Sequence, residues 1–82
     1  MEAKEMFNKL GYKKLPKKYN KNMILYESPY LERAGKIIIY FSLTDKRIQF
    51  SPYYRYSVKE LEAINKQVEE LGWLGSDKEW KY

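Results

Sequence analysis

The chain has 82 residues, of which 44% are hydrophobic, and its sixteen lysines and arginines outnumber its eleven acidic residues, which gives a formal net charge of +5. This length is enough for one small domain with a thin core, so we expect residues 1–82 to form a single domain. The sequence contains no cysteine and no histidine. Disulfides, thiolate metal sites, a thiol nucleophile and the commonest general base are therefore excluded.

The other residues offer little further chemistry. Glu69 and Glu70 are adjacent on a predicted helix, where neighbouring side chains project about 100° apart. The four glycines, at positions 11, 35, 72 and 75, do not form a phosphate-binding loop. We therefore expect that the protein is not an enzyme and has no catalytic residue, no cofactor and no metal ligand.

The hydropathy pattern predicts no association with a membrane. The first ten residues include two glutamates, and no run of eight apolar residues occurs anywhere in the chain. Neither a signal peptide nor a membrane-spanning helix is expected from such a pattern. We expect a cytoplasmic protein.

The first predicted element is a helix over residues 2–10. Four apolar residues recur there at the spacing of one helix face: Ala3, Met6, Phe7 and Leu10. Gly11 follows them, and glycine readily takes the left-handed conformation that ends many helices. The helix should therefore bury one face and stop before residue 11.

A lysine-rich connection, GYKKLPKKYNKN, follows this helix over residues 11–22. Seven lysines and two glutamates precede residue 22, whereas nine basic residues balance nine acidic ones after it. The candidate polyanion-binding residues of the connection are Lys13, Lys14, Lys17, Lys18 and Lys21. Because none of them is an arginine, any contact with nucleic acid would lack bidentate base recognition. A solvated loop and a site for an acidic protein are alternative interpretations.

Three strands are predicted next, over residues 22–28, 36–42 and 46–54, each rich in isoleucine, phenylalanine or tyrosine. The connections, residues 29–35 and 43–45, are too short for a parallel crossover. The sequence therefore predicts an antiparallel meander.

Alternation along the strands predicts one buried and one outer sheet face. Residues 37, 39, 41, 48 and 50 should face the helices, which leaves Ile38 and Tyr40 outside with Tyr26 or Leu25, depending on the register of the first strand. The candidate interface residues are Tyr26, Ile38, Tyr40, Tyr53 and Tyr54. Such a face fits a partner protein, a second copy of the chain, or stacked bases of single-stranded nucleic acid.

The last element is a helix that begins with a capping box, Ser57 and Glu60. Its predicted apolar stripe consists of Val58, Leu61, Ile64, Val68 and Leu71. Gly72 should end the helix, and Glu62 and Lys66 are spaced for a favourable ion pair. We expect residues 75–82 to be a loose tail, unless Trp80 and Tyr82 fold back on the body.

These elements predict an α+β fold in the order α-β-β-β-α: a three-stranded antiparallel meander with two helices packed on one face. The basic connection and the aromatic outer face point to a non-enzymatic interaction module that binds a protein partner or itself as a homodimer. Weak, sequence-independent binding of nucleic acid through the lysine-rich connection and the tyrosine-rich face is the alternative function.

Both ends of the chain carry a resemblance. AKEMFNKLGY at the front and LEAINKQVEELGW at the back resemble small uncharacterised proteins encoded by phages and prophages of Gram-positive bacteria. In those proteins the two ends flank a tyrosine-rich β segment, which the middle of this chain matches in character. The resemblance implies an accessory protein in the cytoplasm of a bacterial host cell and supplies no catalytic residue.

Overall fold

In a computed structural model, the part of the chain that is described forms two helices and four strands. The structure describes residues 1–16, 21–32, 35–51 and 54–73. In chain order the elements are α1 (Ala3–Lys9), β1 (Lys13–Lys14), β2 (Met23–Glu32), β3 (Gly35–Ser42), β4 (Arg47–Gln49) and α2 (Val58–Glu70). The α+β class is confirmed.

The sheet has four strands in the order β1-β2-β3-β4, and all neighbours are antiparallel. The prediction of three strands was therefore one short. The additional strand, β1, pairs Lys13 with Glu27 and Lys14 with Tyr26. It escaped prediction because it is two lysines long, and lysine has little strand propensity of its own. Pairing with β2 makes this segment a strand.

The strands also differ in length from their predictions. β2 runs on to Glu32, with an irregular register between Glu27 and Leu31, where Pro29 has no amide hydrogen to donate to a ladder. The last strand, predicted over residues 46–54, stops at Gln49. Its chain leaves the ladder because the Ser51 N–H donates to the Tyr56 hydroxyl at 2.9 Å.

One sheet face is covered by both helices, and we call it the covered face. Its central residues are Ile24, Tyr26, Ser28, Ile37, Ile39 and Phe41, all buried. The ring of Phe7 from α1 stacks on Tyr26 with centroids 3.9 Å apart, and Phe41 meets both rings edge to face. This aromatic group joins α1 to the sheet and supplies apolar area that so short a chain needs.

Both helices end in the same Schellman motif. After α1 the N–H of Tyr12 donates to the carbonyl of Phe7, and the N–H of Gly11 donates to Asn8, both at 2.9 Å. Gly11 has φ of 89°, and a Cβ there would lie 3.0 Å from Pro29. After α2, Gly72 and Trp73 repeat the pattern, as the predicted stops at the two glycines require.

The buried stripe of α2 differs from the predicted one. The capping box is present, with the Ser57 Oγ accepting from the Glu60 N–H at 3.1 Å. Val58 and Leu61, however, are 72% and 50% exposed, so their assignment to the core was wrong. The side chains that α2 buries are Glu60, Ala63, Ile64, Gln67 and Val68. The helix is rotated about its axis relative to the predicted apolar stripe, because two of its polar side chains find buried hydrogen-bond partners. Lys66 forms its described ion pair with Glu69 at 3.1 Å, and not with Glu62.

Candidate interaction surface

The second sheet face, which we call the outer face, carries no described element. Its residues alternate along the strands with those of the covered face: Lys13 on β1, Met23, Leu25 and Glu27 on β2, Lys36, Ile38, Tyr40 and Ser42 on β3, and Arg47 and Gln49 on β4. Helices α1 and α2 both contact the opposite face. Within residues 1–16, 21–32, 35–51 and 54–73, the side chains from outside this face that contact it belong to the β3–β4 turn, where Thr44 and Asp45 bond to Ser42 and Asp45 lies near Arg47.

An apolar stripe crosses the middle of this face. The register places Leu25 opposite Tyr40, and Ile38 and Met23 flank that pair along the neighbouring rows. All four side chains are partly buried, and none of them packs against the core cluster. The stripe is therefore an apolar surface separate from the core, and its residues belong to strands rather than to loops.

Basic side chains surround the stripe. Lys13, Lys36 and Arg47 are exposed at its margins. Lys36 contacts the Glu27 carboxylate at 3.3 Å, and Arg47 contacts Asp45 only at 3.9 Å. Such exposed pairs contribute little to stability, about 0–1 kcal/mol each. The charges at the margin thus remain open to a ligand.

Charge is distributed unevenly between the layers of the fold. Residues 13–56, which hold the strands and their connections, contain ten lysines and arginines and three acidic residues, a net of +7. Residues 57–73, which hold α2, contain two lysines and four glutamates, a net of −2. The segment that holds the strands is therefore the most positive part of the chain, and it attracts anionic groups.

A groove lies beside β4, with a volume of about 520 Å³. Met23, Tyr40 and Ser42 line it from the outer face, and Arg47 and Gln49 line it from the strand. It joins the apolar stripe to the free edge of the sheet.

A polar cluster on the covered side is built around Glu60, which is 4% exposed. One carboxylate oxygen accepts from the hydroxyls of Tyr12, at 2.5 Å, and Tyr54, at 2.9 Å. The other accepts from the Ser57 N–H at 2.7 Å. Burial by itself raises the pKa of Glu60, but the hydrogen bonds from Ser57, Tyr12 and Tyr54 lower it overall.

The tyrosines of this cluster respond in the opposite direction. Burial, the hydrogen bond to Glu60 and its negative charge all raise the pKa of Tyr12, and the same causes raise the pKa of Tyr54 to about 12. All described buried side-chain donors and acceptors are hydrogen-bonded. The cluster thus ties α2 to the end of α1 and to residue 54, a structural role in which every polar group has a partner.

A row of aromatic rings lies beside the polar cluster. Tyr54 contacts Tyr56 edge to face with centroids 4.7 Å apart and stacks more loosely with Tyr30 at 6.3 Å, while Tyr56 meets Phe50 at 5.4 Å. Each of these rings is engaged by a neighbouring ring, and Tyr54 also bonds to Glu60. The row therefore continues from the polar cluster, and its two outer rings, Tyr30 and Phe50, are 54% and 42% exposed.

The structure divides the predicted interface residues. Ile38 and Tyr40 lie on the outer face as expected. Tyr26 does not, because the register puts Leu25 opposite Tyr40 and Tyr26 opposite Ile39, which leaves Tyr26 0% exposed. Its hydroxyl donates to the Gln67 Oε1 at 2.7 Å. Tyr26 is therefore a core residue and not a surface residue.

One more predicted interface residue, Tyr54, is not on the outer face, and one residue that was predicted to be buried is exposed. Tyr54 faces the polar cluster, and Phe50, expected among the buried residues, is 42% exposed. Tyr53 lies outside the described residues, as does the predicted tail at 75–82.

The predicted polyanion-binding lysines are only partly described. Lys13 and Lys14 form β1, and Lys21 is exposed just before β2. Lys17 and Lys18 lie outside the described residues. Among the described ones, Lys13 borders the outer face, so one lysine of the predicted set joins the apolar stripe through the β1–β2 pairing.

Sequence reasoning missed the buried role of Glu60, and it did not name Arg47 as a candidate interface residue. The capping box gave Glu60 a sufficient role at the helix start, and nothing local indicated two tyrosine donors. A signal for Arg47 was present, since it alternates with Ile48 and therefore points to the outer face.

No group of three or more Asp or Glu side chains that could hold a metal ion occurs among the described residues. In the same part of the chain, neither helix is long and apolar enough to cross a membrane. Comparison with protein-family models, with curated proteins and with solved structures finds no match.

Proposed function

We propose that this protein is a non-enzymatic interaction module whose outer face binds an acidic surface of a partner protein. The observation that supports this function is the apolar stripe around Tyr40, which no described helix covers although both helices cover the opposite face. Apolar patches with a polar margin are typical of protein interfaces.

The charges indicate what the partner looks like. The margin of the stripe carries Lys13, Lys36 and Arg47, and the whole segment 13–56 has a net charge of +7. An acidic partner gains favourable steering and avoids like-charge repulsion. We therefore expect an apolar anchor on the partner with carboxylates around it.

The same charges argue against a homodimer through this face. A two-fold dimer brings the same patch of both copies together, so the basic margins of two molecules would meet. Binding to an acidic partner avoids that cost, and for this reason the partner is proposed to be a different protein.

Nucleic acid is the weaker candidate for the outer face. Single-strand binders stack successive bases on several rings, whereas Tyr40 is the one aromatic side chain among the described residues of this face. The exposed lysines still provide point-charge attraction to phosphates. Weak and strongly salt-dependent binding is the expected limit.

The proposed biological setting comes from the resemblance of the two chain ends to phage and prophage proteins. An accessory protein made in the cytoplasm of an infected Gram-positive bacterium would have host or phage proteins as its partners. The matched segments contain α1 and most of α2. The resemblance therefore concerns the helices that pack on the covered face, and it does not indicate which partner the outer face binds.

The test is affinity capture from a lysate of a Gram-positive bacterium, with and without nuclease, followed by titration of each captured protein after purification. Tyr40→Glu places a negative charge in the apolar stripe. Leu61→Glu is the matched control, because Leu61 is an exposed apolar residue on α2, away from the outer face. We expect Tyr40→Glu to weaken binding by at least about tenfold, or 1.4 kcal/mol, and Leu61→Glu to leave it unchanged.

Each contrary result has a defined meaning. Capture that disappears after nuclease treatment would assign the surface to nucleic acid. Equal losses in the two variants would show that the outer face is not the binding surface. Self-association of the parent at tens of micromolar, abolished by Tyr40→Glu in sedimentation, would replace the partner by a second copy of the chain.

A further inference from the structure

Among the described strands β4 is at the edge of the sheet, and the groove beside it reaches that edge. Arg47 and Gln49 belong to the outer face, whereas Ile48 and Phe50 alternate with them and point to the other side. All four line the groove. A cavity that touches both sides of a strand must pass along its edge, so the backbone of β4 is part of the groove wall.

The ladder shows which backbone groups face that edge. The Leu43 N–H donates to the Asn22 carbonyl at 2.9 Å, on the side of β2. Because hydrogen-bonding direction alternates along an antiparallel strand, Tyr40 and Ser42 direct their backbone groups to β4. Their partners Gln49 and Arg47 are thereby paired. The N–H and C=O of Ile48 point away from β3, into the groove.

The opposite edge of the sheet is a poorer template. The Leu15 N–H donates to the Leu25 carbonyl at 2.9 Å, on the side of β2. By the same alternation, the backbone N–H and C=O of Lys14 point away from β2. The next outward position is Pro16, which has no amide hydrogen to donate. Strand β1 therefore offers a single donor, and lysine on an edge discourages pairing.

The groove has side-chain features that select an occupant. Tyr40 and Met23 form an apolar floor on the outer face. Arg47 lines the groove together with Asp45, and it is 82% exposed with its described ion pair to Asp45 at the long distance of 3.9 Å. Lys46, between them in the chain, is also exposed. An extended segment that alternates apolar and acidic side chains matches this combination of free backbone, apolar floor and positive charge.

We propose that an extended, acidic segment of the partner protein adds to β4 as a fifth strand, by hydrogen bonding to the backbone of Ile48. This is recognition by strand addition, in which main-chain hydrogen bonds provide affinity and alternate side chains provide specificity. The inference rests on the proposed function and specifies how the partner binds beside the apolar stripe.

The experiment uses a blocked seven-residue peptide of four glutamates alternating with three valines, added to the isotope-labelled full chain. Backbone amide exchange is followed by NMR. We expect the exchange of the Ile48 amide to slow by at least about tenfold on binding, since an edge amide becomes hydrogen-bonded. The amides of Arg47 and Gln49, already paired with β3, are internal controls and should change little.

Two N-methylated versions of the peptide test the backbone contact. One carries methyl groups on the odd-numbered amides and the other on the even-numbered amides, so each blocks the hydrogen bonds along one edge of the peptide strand. Strand addition requires that one version abolishes binding and that the other retains it. Arg47→Glu should weaken the parent peptide about three- to tenfold. Lys59→Glu changes the net charge equally on α2, away from the groove, and should have no such effect.

Several results would overturn the proposal. Equal binding by both N-methylated peptides would place the peptide in the groove through side chains alone. No binding at millimolar peptide, or protection at Lys14 in place of Ile48, would also contradict it. Protection of Ile48 without peptide, together with a dimer in sedimentation, would make a second copy the occupant. If the peptide does not bind, or binds through side chains alone, the Tyr40→Glu capture experiment still tests the outer face, whereas a dimer would replace the partner in both proposals.

Discussion

The two faces of the sheet are made from neighbouring residues of the same strands, and they have opposite roles. Ile37 and Ile39 on β3 are buried under the helices, whereas Ile38 between them lies on the outer face. On β2, Tyr26 is in the core and its neighbour Leu25 is outside. In this sheet the register with the neighbouring strand, and not the chemical type of a residue, therefore decides whether its side chain stabilises the fold or is open to a ligand.

The largest expected difference between the faces is in packing. Ile39→Ala should lower the free energy of unfolding by about 2–5 kcal/mol, because it opens a cavity beneath the helices. Ile38→Ala removes the same atoms from the outer face and should cost about 1 kcal/mol or less, in line with partial burial. Urea denaturation of both variants measures the difference. Equal losses would mean that both faces are covered in the folded protein.

The polar contacts of the two sides should differ next. Glu60→Gln removes the charged acceptor of the Tyr12 and Tyr54 hydroxyls and should cost about 1.5–3 kcal/mol. Glu27→Gln, at the ion pair with Lys36 on the outer face, should cost about 0–1 kcal/mol. If the Glu60→Gln protein were as stable as the parent, the polar cluster would contribute no more to stability than a helix cap does.

A smaller effect is expected from removing one hydroxyl. Tyr26→Phe breaks the hydrogen bond to Gln67 and should cost about 1 kcal/mol at neutral pH. Tyr40→Phe on the outer face is the matched change and should be within about 0.5 kcal/mol of the parent. Thermal unfolding of the pair distinguishes the faces, and a larger loss for Tyr40→Phe would reverse their assignment.

The buried Tyr26 hydroxyl also makes the stability of the protein depend on pH in the alkaline range. Burial, with the charge of Glu70, raises the pKa of Tyr26 to about 12 from 10.0. Since the unfolded chain releases this proton first, the stabilisation is complete below pH 10 and is lost as the pH rises towards 12. The stability advantage of the parent over Tyr26→Phe should therefore shrink and then change sign across this range. A difference that stays constant from pH 9 to 12 would contradict it.

The smallest effect concerns α2. Leu61→Ala should change stability by about 0.5 kcal/mol or less, because the side chain is half exposed. Ile64→Ala, one turn further along on the buried stripe, should cost about 2–5 kcal/mol. If Leu61 proved the more costly position in urea denaturation, the helix would be rotated towards its purely apolar stripe.

Prediction from the sequence succeeded where the signal was local. The ends of both helices follow from Gly11, Gly72 and the Ser57 capping box, each a property of a few consecutive residues. Alternation in β3 predicted its two faces. Prediction failed for β1, which exists only through pairing with β2, and for the rotation of α2. That rotation depends on the hydrogen bonds of Glu60 with Tyr12 and of Gln67 with Tyr26, both far away in the chain.

The candidate surface was predictable in part for the same reason. Ile38 and Tyr40 follow from alternation within one strand, but the sequence left Tyr26 and Leu25 as alternatives for the neighbouring strand. A shift of one residue exchanges the faces of a whole strand, and only the partner strand chooses between the two registers. The free edge at Ile48 depended on strand order as well.

The class of the fold, the two predicted helices, the stops at Gly11 and Gly72, the Ser57 cap and the concentration of positive charge all follow from the amino-acid sequence, because they depend on composition and on contacts within a few residues. The tertiary structure decided which residues of each element are buried. It paired Tyr26 with Gln67 and Tyr12 with Glu60 across gaps of more than forty residues, and so turned polar side chains inward. The apolar side chains that this arrangement leaves uncovered, Leu25 and Tyr40 among them, form the outer face because no described element packs on them.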